Sequence, residues 1–257
     1  CGVVTLVSTG EGGLGGYFLQ DAEGDNNPVT ADGIFVFDPD NRSVVTEGDV
    51  IRTQALVTER IGLTSLEPQD QAGVTILDRG RSIRPTPISL PESFDGELER
   101  YEGMLISIDQ PMTITGNRWL DDLGQLKLSS ADDHGQSGRL DQPTHITVPG
   151  SPEAKRIRLE NARRFLVLDD GKDFNPDPPP FIAAVDENAT PRVGDQVADI
   201  LGVLDYVKVT AFDFGDHRYD YRVQATRPPT ILPRNHPPAA PTTGRIEPPY
   251  SPGPATP

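Results

Sequence analysis

Residues 16–38 read GYFLQDAEGDNNPVTADGIFVFD, and this stretch commits the chain to β-structure. Its two apolar runs, Tyr17-Phe18-Leu19 and Ile34-Phe35-Val36-Phe37, are short, rich in aromatic and β-branched residues, and bounded by Gly, Asp and Asn. That is the signature of strands. The segment between them is too acidic and too full of turn formers to continue either strand, so it reads as a hairpin connection. The same grammar predicts strands over 3–7, 17–20, 33–37, 50–58 and 73–77. Within 50–58, Ile51, Thr53, Ala55 and Val57 are expected on one face, with Arg52, Gln54 and Thr58 on the other. Five strands with no strong helix among them suit a small Greek-key barrel.

The hairpin connection has chemistry of its own. Asp21, Glu23, Asp25 and Asn27 place an oxygen at every second position, with Gly24 among them and Asp32 further on. Calcium takes six to eight oxygen ligands, and alternate acids beside a glycine turn let one loop wrap a hard cation. Ca2+ is therefore an expected ligand of Asp21, Glu23, Asp25, Asn27 and Asp32. The full twelve-residue calcium-loop pattern is not present. A solvated loop whose Asp and Asn side chains cap its own turns is the competing expectation.

After residue 80 the periodicity stops through GRSIRPTPISLPESFDGEL, then restarts at Tyr101-Glu102-Gly103-Met104-Leu105-Ile106-Ser107. Gly48-Asp49 before one long strand recurs as Gly194-Asp195 before another, and Arg164–Gly171 stands where 33–38 stood. These landmarks keep their order and predict a degenerate repeat. The expected division is a barrel at 1–80, a Pro-rich linker at 81–98, a second barrel with insertions at 99–232, and a tail at 233–257. One helix is expected in the second barrel, over SPEAKRIRLENARR. Ser151 serves as N-cap, Pro152 opens the first turn and Glu153 supplies its acid. A helix between the third and fourth strands is a frequent feature of this barrel type. The helix holds Lys155, Arg156, Arg158, Arg163 and Arg164, which are five of only 23 basic residues in the chain. They are either a contact surface for nucleic acid or cations favouring a helix C-terminus and pairing with nearby acids. From Leu232 the chain is so rich in Pro that an extended polyproline II spacer is expected rather than a packed core.

Composition narrows the function. The formal net charge is −16, which repels phosphate and opposes broad nucleic-acid affinity. The single cysteine is residue 1, so no intrachain disulfide and no Cys-based metal cluster can form. A Cys-Gly start invites a lipidated terminus, although strand character from Gly2 leaves no tether; trimming within the first strand is the favoured reading. No run approaches the roughly 18 apolar residues of a helical membrane span, so none is expected. No Gly-x-Ser-x-Gly elbow is present. The glycine run at 10–16 lacks the Lys-Ser/Thr of a phosphate loop and opens a strand. Aromatics beside basic residues offer a stacking surface instead. Trp119, Tyr206, Phe212, Phe214, Tyr219 and Tyr221 lie in the second half with Arg118, Lys208, Arg218 and Arg222 near them, as single-strand binding by a barrel requires.

Several motifs together, GYFLQDAEGDNNPVTADGIFVFD, EGDVIRTQALVTERIGLTSL, ERYEGMLISI, ENARRFLVLDDG, NPDPPP, VGDQVADILGVLDY and RNHPPAAP, resemble the OB-fold region that precedes the catalytic domain in secreted bacterial nucleases of the endonuclease/exonuclease/phosphatase superfamily. The resemblance spans about residues 2–241 and covers only the non-catalytic part. It implies an all-β pair of OB-like Greek-key barrels, outside the cell or at its surface, that binds single- or double-stranded DNA for a catalytic domain. The expected contact residues are Lys155, Arg156, Arg158, Arg163, Arg164, Trp119, Tyr206 and Arg218. The Glu, Asp, Asn and His constellation of that catalytic domain cannot be placed here, so catalysis by this chain is not expected. The alternative is an extracellular assembly module whose strand edges and tail pair with other copies of itself.

Overall fold

The computed structural model describes residues 1–10, 12–40, 42–60, 62–68, 73–131, 138–171, 191–210 and 217–232, with the backbone alone at 121–122, 207–210 and 217–219. The expected tail at 233–257 lies outside the described residues. The chain is mostly β, in two sheets of seven and nine strands. The first holds β1 (Gly2–Ser8), β2 (Gly16–Gln20), β3 (Gly33–Phe37), β4 (Val50–Thr53), β5 (Ala55–Arg60), β6 (Leu63–Pro68) and β7 (Val74–Asp78). Its order is β5-β6-β3-β2-β1-β4-β7. β3 and β6 are parallel and every other neighbouring pair is antiparallel.

The expected strand over 50–58 is present as two halves, β4 and β5, broken at Gln54. The Gln54 N–H, donating to Gly73 O at 2.8 Å, is the last rung between β4 and β7; beyond it β4's pairing with β1 and β7 ends and β5 turns to β6. The expected single face does not survive the break: Ile51 is buried, but Val57 is 69% exposed. β6 went unpredicted because LTSLEP is short, polar in part, and ends in proline, which weakens a strand signal.

The second sheet holds β8 (Thr86–Pro87), β9 (Leu105–Ile108), β10 (Met112–Gly116), β11 (Leu126–Ser129), β12 (Phe165–Asp169), β13 (Gln196–Ala198), β14 (Ile200–Thr210), β15 (His217–Ala225) and β16 (Thr230–Leu232). Its order is β16-β13-β10-β11-β12-β15-β14-β9-β8. β9 and β10 are halves of one strand, as are β13 and β14. Since β9 pairs with β14 and β10 with β13, the pairing returns on itself and the sheet curls. The 81–98 segment is partly built into this sheet: β8 pairs with β9, and Ile88 and Leu90 join its core.

Short helical turns α1 (Leu120–Leu123) and α2 (Pro143–Ile146) precede α3 (Pro152–Arg164), the one long helix among the described residues. Ser151 caps α3 by accepting the Ala154 N–H at 3.1 Å, with Pro152 in the first turn and Arg163 and Arg164 in the last. α3 lies between β11 and β12, the second and third strands of this half in chain order, and not between the third and fourth as the sequence suggested.

All five residues of β2 are buried, because the strand is covered on both faces. Tyr17 and Leu19 point into the first sheet's own core with Val4, Val36 and Ile51. Phe18 points the other way and joins Leu6, Phe35, Leu63 and the second sheet's Val203. A register shift between Val4 and Leu6 puts these two residues of β1 into different cores. Each such side chain contributes about 1.5–3 kcal/mol relative to exposure. The two sheets are therefore joined by a shared apolar layer, extended by Gln20, whose Oε1 accepts the Leu105 N–H at 2.8 Å.

Candidate functional site

In the acidic connection the side-chain oxygens serve the loop's own backbone. Asp21 Oδ1 accepts the Glu23 N–H at 3.1 Å, Asp25 Oδ1 the Asn27 N–H at 2.7 Å, and Asn27 Oδ1 the Val29 N–H at 3.3 Å. Asp32 Oδ1 takes the Asp25 N–H at 3.1 Å, and the Thr30 hydroxyl donates to Asp25 Oδ2 at 2.8 Å. The bonds from the Asn27 N–H and the Thr30 hydroxyl hold the Asp25 carboxyl below the usual range. Gly24 is needed here for two reasons: its φ is +64°, and a Cβ would come within 2.6 Å of Asp32 Oδ2. Among the described residues no group of three or more His, Cys, Asp or Glu side chains is arranged to hold a metal ion. This loop is expected to melt with the rest of the protein at the same temperature in calcium and in chelator. A calcium-dependent rise in Tm, abolished by Asp21→Asn with Asp25→Asn, would restore the cation reading; occupancy at 100 Kd stabilises by about 2.7 kcal/mol.

The basic residues of α3 divide. Arg156 forms ion pairs with Glu153 and Glu160 on its own helix. Arg163 donates to Glu92 O and lies 3.9 Å from Asp95. Arg164 is buried and donates through Nη2 to Ser130 O at 2.9 Å. Arg163 and Arg164 hold the helix to its surroundings, while Arg156 is committed within it. Lys155 and Arg158 are exposed and make no ion pair among the described residues.

The expected aromatics sit on separate connections of the second half. Trp119 lies between β10 and β11, with the Arg118 guanidinium 4.9 Å from its ring centroid. Tyr206 on β14 faces Tyr221 on β15, ring centroids 4.8 Å apart and tilted by 50°. The side chains of Lys208, Arg218 and Tyr219, and all of Phe212 and Phe214, lie outside the described residues.

Two arrangements were not anticipated from sequence. The first is a buried polar network on the face of β14 and β15 opposite the second core. Arg222 grips Asp205 through Nε at 3.0 Å and Nη2 at 2.9 Å, and reaches Asp169 through Nη1 at 3.1 Å. Gln125 donates to Asp169 at 2.6 Å and Gln224 to Asp205 at 3.1 Å. Burial pushes Asp169 up, to about 6, against the pull of Arg222. Ser8 of β1, donating to Gly171 O at 2.6 Å, closes this edge from the first sheet.

The second is a cleft of about 370 Å³ between the sheets. Ala31, Ile34, Phe35 and Leu63 give it apolar walls, Thr30 and Thr64 a polar rim, and Glu99 and Glu102 the opposite side. Burial, and then Glu99, which accepts the Tyr221 hydroxyl at 2.6 Å, push the phenol far up. Burial, then Glu99, push half-buried Glu102 up to about 7; the Thr64 N–H opposes this, while Asp205 and Glu59 add to it. Glu99 and Glu102 fall within ERYEG, but a three-residue spacing of acids is too common to mark a site. Only the packing of Leu63 and Thr64 against them encloses it.

Among the described residues no helix is long and apolar enough to cross a membrane. Neither a family model nor a curated protein matches the chain.

Proposed function

We propose that the chain is a non-catalytic binding module built from two OB-like Greek-key barrels, acting outside a bacterial cell as the nucleic-acid-holding part of a secreted nuclease. The strand pairing carries this reading. In each half the first strand lies between the second and the fourth, and the third runs parallel to the fifth, as in a five-stranded barrel of this kind. Such barrels bind oligonucleotides on the face of strands two and three and on the connections between strands one and two and strands four and five. In the first half the β2–β3 face packs on the second sheet through Phe18 and Phe35, so binding falls to the second half. There Arg118 and Trp119 occupy the first of those connections, and Tyr206 and Arg218 lie on the β14–β15 hairpin. Lys155 and Arg158 add cations that no acid among the described residues neutralises.

With a net charge of −16 and few cations to offer, binding of a fluorescent single-stranded oligonucleotide should be weak and detectable only at low salt. Removing one phosphate-binding cation, by Lys155→Ala or by Arg158→Ala, should reduce the log–log salt slope by about 0.7. Trp119→Ala should cost about 1–3 kcal/mol if a base stacks there. No binding at low salt would remove the nucleic-acid role.

Exposed β5 favours a second reading, self-assembly. It is an outermost strand of its sheet, with Leu56 56% and Val57 69% exposed, and open strand edges template pairing with another chain. The reading includes the 233–257 tail as a further contact. Light scattering should then show oligomers that Val57→Lys reduces to monomer; a wild-type chain monomeric at high concentration would leave the first reading alone.

A further inference from the structure

We infer that the cleft between the sheets binds a primary ammonium group on a short alkyl stem, with Glu99 and Glu102 taking the cation and Ala31, Ile34, Phe35 and Leu63 taking the stem. This goes beyond the nucleic-acid reading, which does not use the cleft. Three features of the site carry it. There is room: about 370 Å³, on the scale of a small-ligand pocket. The walls are divided by chemistry, apolar on the first-sheet side and anionic on the other. And the anionic side lacks a counter-charge. Asp38, Asp49, Asp169 and Asp205 are buried and each meets an arginine. Glu102, half-buried, meets no cation among the described residues, and neither does Glu99 beside it. Buried charge is normally paired or else neutralised by a proton.

Glu102 takes the second course, holding its proton to about 7 because it is withdrawn from water and, after that, because it faces other acids. Glu99 stands three residues before it, Asp205 comes from β14, and Glu59 from β5. The other groups at hand, the Tyr221 hydroxyl and the Thr64 N–H, are neutral donors. An ammonium entering between Glu99 and Glu102 supplies what the protein does not: a positive charge with three N–H donors. Its stem lies against Phe35 and Leu63, which a bare metal ion would leave uncovered. On binding, the Glu102 proton passes to solvent and the carboxylate accepts from the ammonium.

The sign with pH follows. Below about 7 the ligand must displace the proton from Glu102; above it the carboxylate is already ionised and ready. Affinity should therefore rise roughly tenfold between about pH 6 and about pH 8, in proportion to the ionised fraction of a group titrating near 7. Over the same interval an alkyl ammonium stays fully protonated.

The test is calorimetric titration of the whole chain with n-butylamine hydrochloride and, separately, with a blocked lysine amide, at constant ionic strength. The expected result is saturable one-to-one binding of n-butylamine, stronger at about pH 8, with uptake of a released proton by the buffer near pH 6.5. Glu99→Gln with Glu102→Gln should weaken it at least tenfold. Thr30→Trp, which narrows the rim and leaves both carboxylates in place, should also weaken it, so the conclusion does not rest on one variant folding. Binding by the blocked lysine as well would assign the site to a protein side chain; binding by the free amine alone would assign it to a small molecule. Three results would overturn the proposal: no saturation, equal binding of tetramethylammonium as expected of a diffuse counter-ion on an acidic protein, or displacement by an equal concentration of calcium.

Discussion

Replacing Arg222 by Leu should destabilise the protein by about 3–5 kcal/mol, because it strands two buried carboxylates. Arg222 is the only cation that the described ion pairs bring to Asp169 and Asp205, which are 0% and 1% exposed. Gln125 and Gln224 give single hydrogen bonds and no charge. For a chain of this size the loss corresponds to a fall in Tm on the order of 10 °C. The penalty should depend on pH, and its sign is fixed by the carboxyls. Without the guanidinium nothing opposes the burial that raises Asp169, so the folded state holds a proton there that the unfolded chain gives up near pH 4. Stability therefore falls further as pH rises, so the variant should be closer to wild type at about pH 5 than at about pH 8. Adding Asp169→Asn and Asp205→Asn should recover much of the loss at the higher pH, since neutral amides carry no buried charge. Urea denaturation at the two pH values measures both effects. A loss below about 1 kcal/mol, independent of pH, would mean that water already reaches the network.

Gly33→Ala should act on the same junction from the other side. Here two backbones touch: a Cβ on Gly33 would overlap the Gly103 carbonyl group, and one on Gly103 would fall 2.6 Å from Gly33 C. Neither neighbour is a flexible side-chain end that could swing away. Gly103 also has φ +73°, so it cannot accept a side chain without strain. Overpacking ordinarily costs about 1–3 kcal/mol, and a backbone clash belongs at or above the upper end. The strain can be relieved by moving the sheets apart, which would open the cleft beside Gly33 and loosen the layer of Leu6, Phe18, Leu63 and Val203. Gly33→Ala should therefore lower Tm and raise hydrogen exchange at Phe18, while Gly116→Ala, whose Cβ would meet only the flexible Lys127 side chain at 3.3 Å, should leave that exchange unchanged. Wild-type protection at Phe18 in Gly33→Ala would show that the junction tolerates the extra carbon.

Strands over 16–20 and 33–37 were legible in the sequence because each is a short apolar run with turn formers on both sides, and local composition decides that. The helix over 152–164 was legible because Ser151, Pro152 and Glu153 act within one turn of the chain. The turn role of the acidic loop was visible as one of two expectations, since an Asx side chain reaches only its own neighbours.

Nothing local announced the partner of β6, because a parallel neighbour about 30 residues away contributes no periodicity to LTSLEP. Gln54 looks like one polar residue in an alternating strand, yet there the chain leaves β1 and β7 and turns to β6. The basic run of α3 left two expectations open, a contact surface or cations paired with nearby acids; packing of distant segments decided for Arg163, which turns to Glu92, and for Arg164, which turns inward to Ser130. Arg222, Asp205 and Asp169 are inconspicuous in sequence, 17 and 53 residues from Arg222 to its two partners, and Glu99 and Glu102 are two acids among 39. Sequence alone determined the apolar strands over 16–20 and 33–37, where the long helix begins, and that the chain would be acidic and β-rich, because propensity, capping and charge are properties of neighbours. The tertiary structure alone decided which charges are buried, which cations are already committed, and where a cleft opens, because those depend on surfaces meeting across the chain, where burial makes each unpaired group costly.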